Sequence, residues 1–322
     1  MKRRQLFSLV PAAGVMMGAA QADTFPDRPV RIVSPSGPGG ITDVLARLLA
    51  EGVQANLGGQ RFLVENKPGA SGTIAAYAVA RAPADGHTLF IGLLTTQVIQ
   101  PYVRELPYDA HTAFAPVGVV SVSPLVLAVN PSLPVRSLQD FVNLSRERKG
   151  SLNFSIAATA TLPHLLFEML VRETGLSGQA IAYNDSAPSL RAVISGEVAG
   201  TFEGILIVRS QVAAGTLRAL AVTSPSRHPS LPDVPTMTEL GFPSFAVNAW
   251  SGLFVPANTP VSRIGVLNKT LNTVAGTEEF RTRLADLGAE PLPGSPEALT
   301  TLIADEKRRW ADILAKLASS MK

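Results

Sequence analysis

Cysteine is absent from all 322 residues, which excludes both a disulfide framework and a lipid-modified N-terminal cysteine. A chain of this length with 46% hydrophobic residues can instead be held by its core. Metal-ligand spacing is missing too: His87, His111, His164 and His228 stand far apart, so no zinc site is expected. There is no Gly-x-Ser-x-Gly elbow and no Gly-x4-Gly-Lys-Ser/Thr loop, the common signatures of serine hydrolases and phosphate-transfer enzymes. Gly37-Pro-Gly-Gly-Ile-Thr42 misses the dinucleotide fingerprint, because Thr42 stands where the last glycine belongs. No cofactor and no catalytic residue are expected.

Excess charge is also lacking once the N-terminus is set aside. Lys2, Arg3 and Arg4 precede an apolar run, Leu6 to Ala20, and Ala20-Gln-Ala22 has the small residues that a signal peptidase reads. The run falls short of the ~20 residues needed to cross a bilayer. A secretory leader cleaved after Ala22 is expected, and with it a periplasmic location; the Arg3-Arg4 pair leaves the export route open. Three of the 28 Lys and Arg lie in that leader, and the remainder equal the 25 Asp and Glu. A neutral mature chain offers nothing to nucleic acid or to an anionic membrane surface.

What is present is organised around Arg31-Ile-Val-Ser-Pro-Ser-Gly-Pro-Gly-Gly-Ile-Thr-Asp43, a strand, a glycine-bearing turn and a helix start. Val44, Leu45, Leu48, Leu49 and Val53 recur at helical spacing, and Gly58-Gly59 ends the element. Free N–H groups at such a helix start suit an anion, although many α/β proteins have a plain structural turn of this kind. The unit repeats. Arg61–Glu65 is a strand before the loop Asn66–Thr73, and Thr88–Gly92 a strand before a loop starting at Leu94-Thr-Thr96. Leu152–Ser155 leads into Ile156–Thr161 and a helix opened by Leu162-Pro163-His164 and ended by Gly175. Ala180–Tyr183 leads into Asn184-Asp-Ser186 and a further helix.

Between Phe114 and Asn130, Pro116 and Pro124 read as breaks, with Leu125–Val129 a strand that leaves the first lobe. Ala249–Val255 reads as the return crossing, and a C-terminal helix starts near Ser295-Pro296 with Leu299, Leu302, Ile303, Trp310, Ile313, Leu314 and Leu317 as its buried stripe. Two groups of strand–loop–helix units joined by two crossing strands predict two α/β lobes with helix N-termini facing a cleft.

Individual side chains carry two readings each. His164 either reaches a ligand or hydrogen-bonds its own loop, and Asp43 either meets the ligand or serves as a first-turn helix acid. Tyr183 either leans over the cleft or packs between the lobes, and Trp250 either packs the hinge or contacts ligand. Glu203, the one acid on an apolar strand, either contacts ligand or forms a salt bridge closing the lobes.

The chain resembles the Bug-type extracytoplasmic solute receptors, the binding subunits associated with tripartite tricarboxylate transporters. The resemblance rests on Phe25-Pro-Asp-Arg-Pro-Val-Arg-Ile-Val33, Pro38-Gly-Gly-Ile-Thr-Asp43, Val64-Glu-Asn-Lys-Pro-Gly-Ala-Ser-Gly72, Ala84-Asp-Gly-His-Thr88, Pro163-His-Leu165, Leu217-Arg-Ala-Leu-Ala-Val-Thr-Ser224, Leu231-Pro-Asp-Val-Pro-Thr236 and Gly252-Leu-Phe-Val-Pro-Ala-Asn-Thr-Pro260. It implies a type II periplasmic-binding-protein fold, with lobe 1 from 23–124 and 250–322 and lobe 2 from 125–249. It also implies a small carboxylate held mainly by backbone N–H groups and bridging waters.

The implied contacts in lobe 1 are Ser36, Gly37, Pro38, Gly39, Gly40, Thr42 and Asp43, completed by Ala70, Ser71 and Thr95. Those in lobe 2 are Ala158, Thr159, Ala160, Thr161 and His164, with Tyr183, Asn184 and Glu203. Four features depart from the family pattern: Ser36 replaces an aromatic, Ala158-Thr-Ala160 a Gly-x-Gly, Asn184-Asp185 a Lys-Gly, and Glu203 an aspartate. The implied activity is that of a monomeric, non-catalytic receptor delivering a small organic acid to a membrane transporter. A receptor for a sensor kinase is the alternative within binding proteins. An exported α/β hydrolase, with only Ser36, Ser71 and His164 to work with, is the alternative outside them.

Overall fold

The computed structural model describes residues 25–56, 61–150 and 152–320. The leader and the Gly58-Gly59 helix stop lie outside those described residues. In chain order the first elements are β1 (Val30–Ser34), α1 (Ile41–Asn56), β2 (Phe62–Asn66), α2 (Thr73–Ala80), β3 (Thr88–Leu93), a π-helical turn (Thr95–Ile99), α3 (Gln100–Val103) and β4 (Phe114–Val129). There follow α4 (Leu138–Glu147), β5 (Phe154–Ile156), α5 (Leu162–Thr174), β6 (Ala180–Ala182), α6 (Ser186–Ser195), β7 (Gly200–Gly204), α7 (Ile205–Ala213) and β8 (Arg218–Val222). The chain ends with β9 (Asn248–Pro256), α8 (Val261–Ala275), α9 (Glu278–Asp286) and α10 (Pro296–Ser320).

Local chemistry accounts for several boundaries. Ser137 and Asp140 form a reciprocal capping box at the start of α4, and Gly175 ends α5 in the left-handed region at φ 66°. Period-two alternation sorts the strands: Ile32, Leu89 and Ile91 face α1, α8 and α9, while Val33 and Phe90 face the core shared with α2 and α10. Leu299, Trp310 and Leu314 are buried in that core, with Leu302, Ile303 and Ile313 packed against it. Of the stripe expected on α10, Leu317 lies outside the described side chains.

The strand order is β2-β1-β3-β9-β4-β7-β5-β6, with β8 also on β4. β1 runs parallel to β2 and β3, and β5 parallel to β6 and β7. β4 joins the two groups. Over Phe114–Pro124 it pairs antiparallel with β9, and from Leu125 onward with β7 and β8. The breaks expected at Pro116 and Pro124 do not occur, and β4 is one strand of 16 residues, roughly 50 Å long. Each proline falls where its missing N–H is not needed: the register shifts between Pro116 and Gly118, and pairing with β9 ends at Pro124. The loop expected at Leu94-Thr-Thr96 is likewise corrected to the π-helical turn, because Thr96 Oγ1 bonds both the N–H and the carbonyl of Leu93 and folds the chain at once.

Candidate ligand cleft

Parallel strands deliver their carboxyl ends to one edge of a sheet, and helix N-termini follow there. In the first group these ends are Ser34, Asn66 and Leu93. Their loops are locked together at Gly72. A Cβ there would lie 2.7 Å from Thr96 Cγ2 and 3.1 Å from Pro35 Cβ, and its φ of +89° already favours glycine.

The loop before α1 is built by its own side chains. Ser36 Oγ accepts the Asp43 N–H at 3.2 Å and lies 2.5 Å from Thr42 Oγ1, which is 2.9 Å from Ser34 Oγ. Asp43 turns back rather than outward: its carboxylate accepts Gly39 N–H at 2.8 Å, Asn66 Nδ2 at 2.9 Å, and Arg47 at 3.0 Å. Burial pushes its pKa up, but the bonds from Arg47, Gly39 and Asn66 outweigh it and hold the carboxyl below the ordinary range. The Asn66 amide also donates to the Ser36 carbonyl. Gly40 N–H closes the turn on Gly37. Open space surrounds the Cα of Gly37 and Gly39. Pro38 is exposed beside them, and the N–H groups of Gly37, Ile41 and Thr42 have no acceptor among the described residues.

Ala70 and Ser71 sit side by side with φ +47° and +53°. Two left-handed non-glycine residues in succession are a local strain. Ala70 is exposed, and Ser71 and Thr95 are half-buried.

In the second group the strand ends are Ile156, Ala182 and Gly204. Ala160 is buried and keeps the left-handed φ of +54° that a glycine would adopt freely. Its N–H donates to His164 Nδ1 at 3.0 Å, which places the ring proton on Nε2, 3.6 Å from Glu168 Oε1. Thr161 Oγ1 donates to the Ala158 carbonyl, and Thr159 is exposed at the crest of this loop.

Tyr183 donates its hydroxyl to Glu197 Oε1 at 2.8 Å and packs against the α6–α7 core. Burial first, then Glu197, pushes its pKa up to about 12. Asn184 is exposed, and Asp185 caps α6 through Ser186 N–H. Glu203 is buried and accepts Gly204 N–H at 3.0 Å. Burial raises its pKa and the nearby Asp185 adds to the rise, against hydrogen bonds from Gly204 and Ser186. Among the described residues no cation pairs with Glu203, so the salt bridge considered for closing the lobes is not formed.

The two groups of loops meet. Gln100 Nε2 donates to the Ala160 carbonyl at 2.8 Å across 60 residues of sequence. Gln97 and Gln100 are buried, and Gln97 Nε2 and Gln100 Oε1 lack partners among the described residues. Sequence reasoning passed over both, as it did the bracing role of Asn66. The available signal was a pair of glutamines three apart shortly after the apolar run Leu89–Leu94. Trp250, buried opposite Val122, packs the junction where β4 changes partners.

Known proteins are similar to this chain in sequence and fold. The TctC family model, described as tripartite tricarboxylate transporter family receptor, matches residues 45–318. Protein BugT of Bordetella pertussis is 34% identical over 97% of this chain and 96% of its own length. Among solved structures, Rpa4515 of R. palustris with adipate is 36% identical, with a TM-score of 0.84 over 92% of this chain and 98% of that one. MatC from Rhodopseudomonas palustris with bound malate is 32% identical, with a TM-score of 0.81 over 90% and 100%. Strand order, the paired loops at the strand ends and likeness over nearly the full length agree, and the chain belongs to the TctC family of tripartite tricarboxylate transporter receptors, solute-binding proteins of two-lobed periplasmic-binding-protein fold.

Proposed function

We propose that this receptor holds a small organic acid between lobe 1 (residues 23–124 and 250–322) and lobe 2 (125–249) and hands it to a membrane transporter of the tripartite tricarboxylate type. The observation that carries the reading is the α1 start. Asp43 is consumed by its own turn, so the N–H groups of Gly37, Ile41 and Thr42, at the positive end of a 16-residue helix, are left for an anion. The adipate and malate bound by two relatives are of that chemistry. In this reading the strained pair Ala70-Ser71 and the loop from Ala158 to His164 supply further contacts.

Delivery outside the cytoplasm follows from the leader, cleaved after Ala22, and the mature chain acts as a monomer. A binder is favoured over a hydrolase because, among the described residues, His164 Nδ1 accepts the Ala160 N–H and Ser36 is bonded to Thr42 and to the Asp43 N–H, which leaves Ser71 as the remaining serine of that alternative.

Thermal unfolding of residues 23–322, stripped of ligand by denaturation and refolding, tests the reading against dicarboxylates including adipate and malate, amino acids, aromatic acids and their amides. At one hundred times its dissociation constant a ligand adds ~2.7 kcal/mol, several degrees in melting temperature. A shift for an acid and none for its amide supports a carboxylate site. Equal shifts for both, or none for any acid, overturn it.

A further inference from the structure

We infer that Gln100 is a positioning residue that draws the lobes together without touching ligand, through its bond to the Ala160 carbonyl. Gln100 continues the π-helical turn that follows β3, and Ala160 lies in the loop that follows β5, so the 2.8 Å bond joins the ligand loops of the two strand groups. Both residues are fully buried, which removes the competition from water that weakens an exposed contact.

Ala160 is held on its other side as well. Its N–H goes to His164 Nδ1, and the hydroxyl of Thr161 anchors the Ala158 carbonyl. The loop is therefore stiff, and the left-handed backbone at φ +54° presents the Ala160 carbonyl to Gln100. Separating the lobes breaks this bond and returns amide and carbonyl to water. Each closing event makes it again, whatever the ligand's structure. A ligand can shift an open–closed equilibrium only by its differential affinity, and a contact made solely in the closed state lowers what the ligand must supply. A net hydrogen bond of ordinary strength corresponds to about a five- to tenfold change in an equilibrium constant.

The inference rests on the receptor reading of the cleft, and its test separates the two. The absence of cysteine allows a spin-label pair at Lys269→Cys on α8 and Arg191→Cys on α6, both exposed. Distance distributions are recorded without ligand and with saturating adipate or malate, in otherwise native protein, in Gln100→Met and in Gln100→Leu. Gln100→Met keeps the length but removes the donor, and Gln100→Leu removes it with a shorter apolar side chain that cannot titrate.

Both variants are expected to move the ligand-free population five- to tenfold toward the open distance, to weaken binding by the same factor through faster dissociation, and to leave the saturated distance unchanged. Unaltered ligand-free distributions in the variants, or a native protein wholly open without ligand, overturn the inference even if melting temperatures fall. If Gln100→Met fails to fold, Gln100→Leu decides. If neither acid changes the distances or the melting temperature, those two ligands fail as probes of the carboxylate reading while the ligand-free distributions still judge Gln100.

Discussion

The Asp43 carboxylate accepts the Gly39 backbone N–H at 2.8 Å, four residues back across the turn that opens α1. The first acid of the helix thus shapes the loop in front of it. Its other bonds, to Arg47 and Asn66, tie helix and neighbouring strand to the same turn.

Replacing Asp43 by Ala should therefore cost roughly 2 kcal/mol, since the Gly39 N–H and the Asn66 amide each lose an ionised acceptor. Urea denaturation measures it. Because the folded pKa of Asp43 is lowered, its contribution is present above the unfolded value of about 3.9 and is lost as pH falls through the folded one. The gap between Asp43→Ala and the native protein should close in strong acid; a gap that persists unchanged contradicts the assignment.

Glu203 works in the opposite direction. Its folded pKa is raised, so the folded state is favoured below the unfolded value of about 4.3 and that advantage is lost as pH rises through the folded value. Glu203→Gln, which retains an acceptor for Gly204 N–H, should match the native protein near pH 4 and exceed its melting temperature at pH 8. A difference independent of pH would show that Glu203 does not titrate in this way.

Ala160 occupies a left-handed backbone that costs an L residue roughly 1–2 kcal/mol. Ala160→Gly removes that strain and restores some unfolded-state entropy, for a net gain of about 0.5 kcal/mol. Ala160→Val should lose more than 1 kcal/mol, since β-branching worsens both the backbone strain and the fit at a fully buried position. Chemical denaturation of the pair reads the sign directly; equal stabilities would argue against strain here.

At Gly72 the opposite substitution is damaging. An alanine Cβ would press on Thr96 and Pro35 at a φ of +89°, and the expected loss is about 2 kcal/mol. Since the loops that follow β1, β2 and β3 meet at this point, ligand affinity should fall with stability. A stable Gly72→Ala protein with native affinity would show that the loops are not coupled there.

Much of the architecture was legible along the chain because it is local. The alternation of Ile32 and Val33, of Leu89 and Phe90, announces strands buried on both faces, and Ser137, Pro163 and Gly175 mark helix ends through backbone chemistry that needs no partner element. Pro116 and Pro124 misled for the same reason. Judged locally a proline breaks a strand, and only the neighbours of β4 reveal that each sits where no ladder bond is required.

Sequence by itself determined the strand–loop–helix units, the glycine-bearing turn before α1, the family and the expectation of a leader. These depend on residue type, spacing and backbone preference. Tertiary structure alone decided how the polar groups at the candidate cleft are spent: Asp43 on Gly39 and Asn66, Tyr183 on Glu197, His164 on Ala160, and Gln100 on the Ala160 carbonyl. A hydrogen bond is satisfied by whatever acceptor the fold brings within 3 Å, and residues 60 apart have no signature in spacing that says they will meet.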